Sequence, residues 1–150
     1  MATFNVDLNW NRDSSDFSHA SFNRNHQIQF SCGIHLEASS APEYLGDSGK
    51  ANPEEIFLAS VASCHMLTFL AIAAKSRYVV DRYQDSPEAS LEKNEAGMPV
   101  ISRVHLKPKV EFSGDKIPDE EKIKILHEKA HKYCFIANSV KSEVVWDPQF

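Results

Sequence analysis

The chain has 150 residues, of which 42% are hydrophobic and 25% charged, a composition typical of one globular domain with a sizeable core. The net charge of -5 and the lack of any Lys/Arg cluster argue against a nucleic-acid-binding surface. The N-terminus has no apolar run after a basic start, so we predict no secretory signal and a cytoplasmic protein. Three widely spaced cysteines favour catalytic, redox or inert thiols over a disulfide framework.

The N-terminal third predicts short strands joined by turns. Residues 3–10 alternate between apolar and polar side chains with the period of a half-buried strand, and residues 17–22 indicate a weaker strand. Residues 26–37 predict a pair of short strands. Residues 38–51 are rich in Ser, Gly, Pro and Ala and predict a loop. The chain up to the end of this loop has only about fifty residues, which are too few for a core of their own. We therefore predict a single domain over residues 1–150.

Residues 52–75 predict a long central helix. Asn52 can cap it, Pro53 suits its first position, and Glu55 can reach back to the cap. Residues 56–74 contain no Asp, Glu, Lys or Arg, so we expect this helix to be buried at the centre of the fold. The length also suits a transmembrane span, but Ser, His and Thr side chains interrupt the stretch and the chain as a whole is polar. We therefore predict no membrane association.

The second half of the chain predicts further strands around a second helix. Pro118 begins this helix, which extends to about Cys134. A turn at residues 94–97 predicts a hairpin, and Pro108 marks an edge or a bulge in a strand. The predicted strands lie at residues 78–83, 89–93, from 100 onward, 104–112 and 139–146. The element order predicts an α+β fold, with antiparallel sheets around the long buried helix and the second helix.

Cys64 lies in the middle of the apolar helix, where burial raises the pKa of a thiol. A reactive thiolate there would need a cation nearby, and arginine is suited to this because it stays charged. The candidates are Arg12, Arg24, Arg77, Arg82 and Arg103. The alternative is that Cys64 is an inert core residue, as many buried cysteines are.

Cys134 allows two kinds of site. His127 and His131 precede it by seven and three residues near one helical face, and with Cys64 they could form a Cys/His zinc site. No CxxC or second close pair supports zinc, so we favour partly exposed histidines and a metal-free pair of thiols. In such a pair, a peroxide oxidises one thiolate to a sulfenic acid, and the second thiol condenses with it to a disulfide.

Two motifs resemble the OsmC/Ohr family of thiol peroxidases. The sequence Asn52-Pro53-Glu54-Glu55, followed after eight residues by Cys64, resembles the helix start and reactive-cysteine segment of that family. The segment Ala130-His131-Lys132-Tyr133-Cys134, with Asn138 and Ser139 after it, resembles the segment around the family's second cysteine. The order of strands and helices also agrees from about Ser21 to Trp146.

The resemblance implies reduction of organic hydroperoxides without a metal or cofactor. Cys64 would be the peroxidatic thiol and Cys134 the resolving thiol. Glu54 would hold the arginine that activates Cys64; we assign that arginine to Arg24, with Arg12 as the second choice. The resemblance also implies an OsmC-like, intertwined homodimer and an external thiol or dithiol reductant. The open alternative is a non-catalytic protein of the same fold that binds a lipid or another small molecule.

Two features set this chain apart from the organic-hydroperoxide branch of the family. The first is Phe135, where that branch usually carries Pro, and the second is His65, directly after the first cysteine. They indicate a less characterised branch. Helix geometry adds an expectation, because Glu54 and Cys64 are ten residues apart, which is about 15 Å along a helix axis and roughly 80° around it. One Glu–Arg pair cannot easily reach both, so we expect a bent helix or a contribution from a partner subunit. The uniformly apolar helix also needs cover on all sides, and we predict an obligate homodimer.

Overall fold

The computed structural model describes every residue from Met1 to Phe150 and contains eight strands and two α-helices. The elements are β1 (Val6–Asn9), β2 (His26–Phe30), β3 (His35–Ala38), α1 (Pro53–Lys75), β4 (Val79–Gln84), β5 (Glu88–Lys93), β6 (Pro99–Leu106), β7 (Lys109–Ser113), α2 (Glu120–Tyr133) and β8 (Glu143–Trp146). This arrangement confirms the predicted α+β class. The chain divides into two compact units, Met1–Ile56 and Phe57–Phe150, and helix α1 begins in the first and continues into the second. The single domain stays a prediction.

The N-terminal unit is built on one antiparallel sheet in the order β1-β2-β3. Val6 lies opposite Phe30, and His26 lies opposite Ala38. The strands predicted within residues 3–10 and 26–37 are therefore confirmed. The weak strand predicted at residues 17–22 is wrong, because short polar side chains fold this stretch into turns.

Helix α1 begins as its sequence predicts. The Glu55 backbone N–H donates to Asn52 Oδ1 over 2.8 Å, and the Asn52 N–H donates to Glu55 Oε2 over 3.2 Å. This reciprocal capping box satisfies two backbone donors that the first helical turn would leave unpaired. It fixes where the helix starts, and therefore where every later side chain lies around its axis.

One stripe of α1 is fully covered within the chain. Its members recur every four residues and are Val61, His65, Phe69 and Ala73. Only 22% of the most apolar 18-residue window of α1 is buried. The prediction of a helix buried on all sides is thus not met by one chain, which covers a single face of α1 and leaves Leu67 exposed.

The C-terminal unit contains two sheets. Strands β4 and β7 pair antiparallel, and the other sheet has the order β5-β6-β8. The β5–β6 pair is the predicted hairpin, but β6 and β8 run parallel, because α2 returns the chain across the sheet between them. The continuous strand predicted at residues 104–112 is wrong. It breaks at Lys107–Pro108 into β6 and β7, since Pro108 has no N–H to contribute to a ladder.

Two separate apolar clusters line the buried stripe of α1. The first consists of Val61 with Val104, Leu106 and Val144 from the sheet. The second consists of Phe69 and Ala73 with Leu126 and Ala130 from α2. His65 lies one helical turn after Val61 of the first cluster and one turn before Phe69 of the second. The stripe therefore carries one polar side chain at the junction of two apolar cores.

Candidate thiol site

The two helices of the C-terminal unit bring two cysteines together. Cys64 lies on α1 and is half-buried, whereas Cys134 is the C-cap of α2 and has no exposed surface. At Cys134 the backbone becomes extended (φ -72°, ψ 112°), which ends the helix and turns the chain back past the thiol. The Ala137 N–H donates to Cys134 Sγ over 3.4 Å. Both cysteines are free, and each thiol shifts the pKa of the other.

Polar neighbours make the Cys64 thiol more acidic than an ordinary cysteine. Burial raises its pKa, but these neighbours more than offset this effect, so the net pKa is lowered. They are the Cys134 thiol, the backbone N–H groups of Ile136 and Phe135, and Thr68, whose hydroxyl donates to the Cys64 carbonyl over 2.8 Å. The turn that follows α2 thus favours negative charge on the Cys64 sulfur.

The Cys134 thiol is shifted the other way. Burial, with a smaller contribution from Cys64, raises its pKa to about 11. At neutral pH, Cys134 therefore keeps its proton. Of the two thiols, Cys64 is the one that loses its proton more readily, and it is also the one that solvent can reach.

No arginine is among the groups that most strongly lower the pKa of Cys64. Arg24 lies in the N-terminal unit, where its guanidinium donates to the Phe22 carbonyl over 2.7 Å and to the His19 carbonyl over 2.6 Å. It also lies 3.9 Å from the centre of the Phe22 ring. Arg24 and Glu54 form no ion pair within the chain, and Glu54 Oε2 is buried without a hydrogen-bond partner. The roles assigned to Arg24 and Glu54 stay predictions.

The second choice for the activating cation, Arg12, is also engaged within its own loop. Its guanidinium donates to the Ser15 carbonyl over 3.1 Å. The third cysteine, Cys32, is free and exposed on the turn between β2 and β3. It therefore belongs to the N-terminal unit, whereas Cys64 and Cys134 belong to the C-terminal unit.

A buried histidine pair joins α1 and α2 and was not predicted from the sequence. His65 Nε2 and His127 Nδ1 are 3.0 Å apart, and the two residues are 1% and 0% exposed. The prediction that His127 lies on a partly exposed face is therefore wrong. Burial lowers the pKa of His65 to about 4 and that of His127 to about 3, so both rings are neutral at physiological pH. The four-residue spacing of His65 from Val61 and Phe69 could have placed it on the buried stripe of α1.

The histidines of the Cys/His zinc alternative have other partners in the fold. His127 bonds to His65, and the His131 ring packs 4.7 Å from the centre of the Trp146 ring. No three His, Cys, Asp or Glu side chains of the chain converge in a geometry that could hold a metal ion. The histidines of α2 therefore serve in packing and hydrogen bonding.

The N-terminal unit carries an aromatic cleft. Its volume is about 310 Å³. It is lined by Trp10, Phe17, Phe22, Arg24, His26 and Ser40. One cation thus lies in a wall that is otherwise mostly aromatic, a lining suited to an apolar ligand with a polar end.

The family model for OsmC-like proteins matches residues 46–149. This chain belongs to the OsmC-like family. An OsmC-like protein of unknown function from Vibrio cholerae has a solved structure with 39% sequence identity and a TM-score of 0.95, covering 99% of this chain and 100% of that one. A search of the curated proteins finds no match.

Two more distant structures share the OsmC-like fold. One is an organic hydroperoxide resistance protein of Legionella pneumophila, with 18% identity, a TM-score of 0.72, and coverage of 100% of this chain and 98% of that one. The other is the organic hydroperoxide resistance protein OhrB of Bacillus subtilis, with 20% identity, a TM-score of 0.71, and coverage of 99% and 98%. Helix α1 is long and apolar enough to cross a membrane. The buried stripe of this helix packs against both apolar clusters of the C-terminal unit.

Proposed function

We propose that this OsmC-like protein is a thiol peroxidase that reduces organic hydroperoxides. The observation that carries the proposal is the neighbouring pair of Cys64 and Cys134, with the pKa of the accessible thiol lowered and that of the buried thiol raised. A nucleophilic thiolate beside a protonated thiol is the arrangement that two-step thiol oxidation requires. The family relationship and the fold shared with organic hydroperoxide resistance proteins also support it.

The reaction divides into two balanced steps. In the first, the Cys64 thiolate attacks the terminal oxygen of the hydroperoxide, an S–O bond forms, the O–O bond breaks, and the leaving alkoxide takes a proton to become the alcohol. In the second, the Cys134 sulfur attacks the Cys64 sulfenic acid. An S–S bond forms, and the sulfenic hydroxyl leaves as water with the proton from Cys134. An external dithiol or two small thiols then reduce the disulfide.

The surroundings of Cys64 support an organic substrate over hydrogen peroxide. Phe135, whose backbone N–H helps to lower the pKa of Cys64, is 81% exposed. Leu67, one turn along α1, is 60% exposed. These apolar side chains could contact the hydrocarbon part of a hydroperoxide, which hydrogen peroxide lacks.

The uncovered face of α1 supports a homodimer. The chain covers a single face of this apolar helix and leaves Leu67 exposed, and exposed apolar surface of this kind marks interfaces. A second copy would cover it, form the intertwined dimer with two sites, and supply a cation to the unpartnered carboxylate oxygen of Glu54. We place this dimer in the cytoplasm, where reducing conditions keep the thiols available.

We expect Leu67→Glu to convert the dimer into monomers. A symmetric interface contains each substitution twice, so two buried leucines would be lost and two charges desolvated, which weakens association at least about a hundredfold. Sedimentation velocity over a dilution series measures this. The control is Leu91→Glu, at a leucine on β5 that is 48% exposed. Wild-type protein that is monomeric and fully active at high dilution would contradict the dimer.

The experiment that tests the proposed function is a thiol count with intact-mass analysis after one equivalent of an organic hydroperoxide. We expect the loss of two thiols, mapped to a Cys64–Cys134 disulfide, while Cys32 stays reduced. A parallel sample with hydrogen peroxide should react more slowly. Unchanged thiols with the organic peroxide would overturn the peroxidase proposal.

The aromatic cleft of the N-terminal unit favours one second candidate, a non-catalytic protein that binds a lipid or another small molecule. This candidate predicts ligand binding that is indifferent to Cys64→Ser. Quenching of Trp10 fluorescence by a fatty acid, together with unchanged thiols after peroxide treatment, would support it over the peroxidase.

A further inference from the structure

The buried histidine pair joins the two helices that carry the two thiols. We propose that His65 and His127 are positioning residues that set the register of α1 against α2 and thereby hold Cys134 within bonding reach of Cys64. The inference rests on the proposed disulfide chemistry. It assigns a role to the histidine that directly follows the reactive cysteine.

The placement of the pair along the chain supports this role. His65 is the next residue after Cys64 on α1, and His127 precedes Cys134 by seven residues on α2. Seven residues are about two helical turns. Any slide or rotation of α2 against α1 would therefore move the His127 ring and the Cys134 sulfur together, so fixing one fixes the other.

The chemistry around the pair explains why a hydrogen bond is needed there. The contact lies between two apolar clusters, and the His127 ring stacks on Phe69 with ring centres 4.2 Å apart. Apolar packing is not directional and tolerates small slides, whereas a hydrogen bond is directional. The His65–His127 bond is the one side-chain hydrogen bond between α1 and α2. Breaking it would leave two more ring nitrogens unpaired in an apolar interior, besides His65 Nδ1 and His127 Nε2, which already have no partner. This cost opposes any shift of the two helices.

The pair acts on position and not on the acidity of the thiols. Neither histidine is among the groups that shift the pKa of Cys64 or Cys134. Both rings are neutral, since burial lowers the pKa of each well below physiological pH. Disulfide formation is sensitive to position, because it requires the two sulfurs to come within about 2 Å of each other with a restricted torsion angle.

The test measures the reduction potential of the Cys64–Cys134 disulfide in glutathione redox buffers, without any peroxide. His127→Asn keeps a polar atom where Nδ1 lies, whereas His127→Leu fills similar space without one. We expect His127→Leu to lower the equilibrium constant for disulfide formation about tenfold or more, which is a rise of about 30 mV in the potential. His127→Asn should stay within about threefold of wild type, since it can still bond to His65.

Val104→Ala is the stability control. Val104 is fully buried in the first cluster, on a strand and away from α2. Its truncation lowers the free energy of unfolding without touching the histidine bond. If His127→Leu had the wild-type potential, or if Val104→Ala raised the potential as much, the positioning role would be overturned.

Two further measurements keep the test decisive. If His127→Leu does not fold, as judged by circular dichroism, the comparison of His65→Gln with His65→Leu replaces it, because Gln carries a polar atom where Nε2 lies. If the wild-type protein formed the Cys64–Cys134 disulfide in glutathione buffer but did not reduce peroxides, the proposed function would be overturned. The reduction potentials of the variants would then still test the positioning role of the histidine pair. Wild-type protein that forms no disulfide would overturn both.

Discussion

Replacement of Cys64 by Ser is expected to lower the turnover of organic hydroperoxides by at least about a thousandfold, because it removes the nucleophile and no other side chain can supply the electrons. The measurement is the loss of hydroperoxide under a fixed concentration of dithiol. The matched control is Cys32→Ser, which removes an exposed free thiol outside the pair and should keep wild-type turnover. Equal losses in the two variants, or activity retained by Cys64→Ser, would contradict the assignment of Cys64.

Cys134→Ser should separate the two steps. The first oxidation should persist, since the backbone N–H groups after α2 still lower the pKa of Cys64, but its sulfenic acid should accumulate because no resolving thiol is present. Trapping with a sulfenic-acid reagent followed by intact-mass analysis measures this product. Small external thiols should restore turnover by resolving the sulfenic acid directly. If Cys134→Ser accumulated no sulfenic acid or more oxidised product when treated with peroxide in the absence of thiols, Cys134 would not be the resolving residue.

Lowering the pH is expected to destabilise the fold already at pH values well above those at which carboxylates usually titrate. The folded-state pKa values of His65 and His127, about 4 and about 3, lie below the unfolded value of 6.5. The unfolded chain therefore binds more protons below pH 6.5, and the stability present above that pH falls as the pH decreases. Each pH unit costs about 1.4 kcal/mol per histidine, so the two together cost about 4 kcal/mol at pH 5.

Urea unfolding at pH 7, 6 and 5 measures this loss. The control is the double variant His65→Gln/His127→Asn, which carries polar atoms in place of both rings but cannot titrate. It should lose about 4 kcal/mol less stability over the same range. Burial also raises the pKa of Asp85, which favours the folded state on acidification and partly offsets the histidines in both proteins. Parallel pH profiles for the two proteins would show that the histidines are protonated without cost in the folded state.

The local signals of the sequence predicted much of this fold. Asn52 and Glu55 form the predicted capping box, and the turn at residues 94–97 joins the predicted hairpin of β5 and β6. These features depend on side chains within a few residues of each other. The break at Pro108 was only half predicted, because a proline reports a missing donor but not whether the chain continues past it.

The features that sequence reasoning missed depend on residues far apart in the chain. His65 and His127 are 62 positions apart, and nothing near either residue indicates its partner. The source of acidity at Cys64 was missed for the same reason. A buried thiol predicts the need for a stabilising partner, and a cation was the expected choice, but the strongest partners are the Cys134 thiol and backbone N–H groups of the turn after α2. Backbone donors carry no residue signature.

The complete burial of Cys134 restricts how the oxidised protein could be returned to its reduced form. A disulfide between the two cysteines would present only the Cys64 sulfur to solvent, because Cys134 has no exposed surface. The incoming reductant would thus form its mixed disulfide with Cys64 and expel Cys134 into the protein interior. That departing thiol has a pKa of about 11, which makes it a slow leaving group. A dithiol whose second sulfur captures the mixed disulfide would therefore regenerate the protein faster than a monothiol of equal strength.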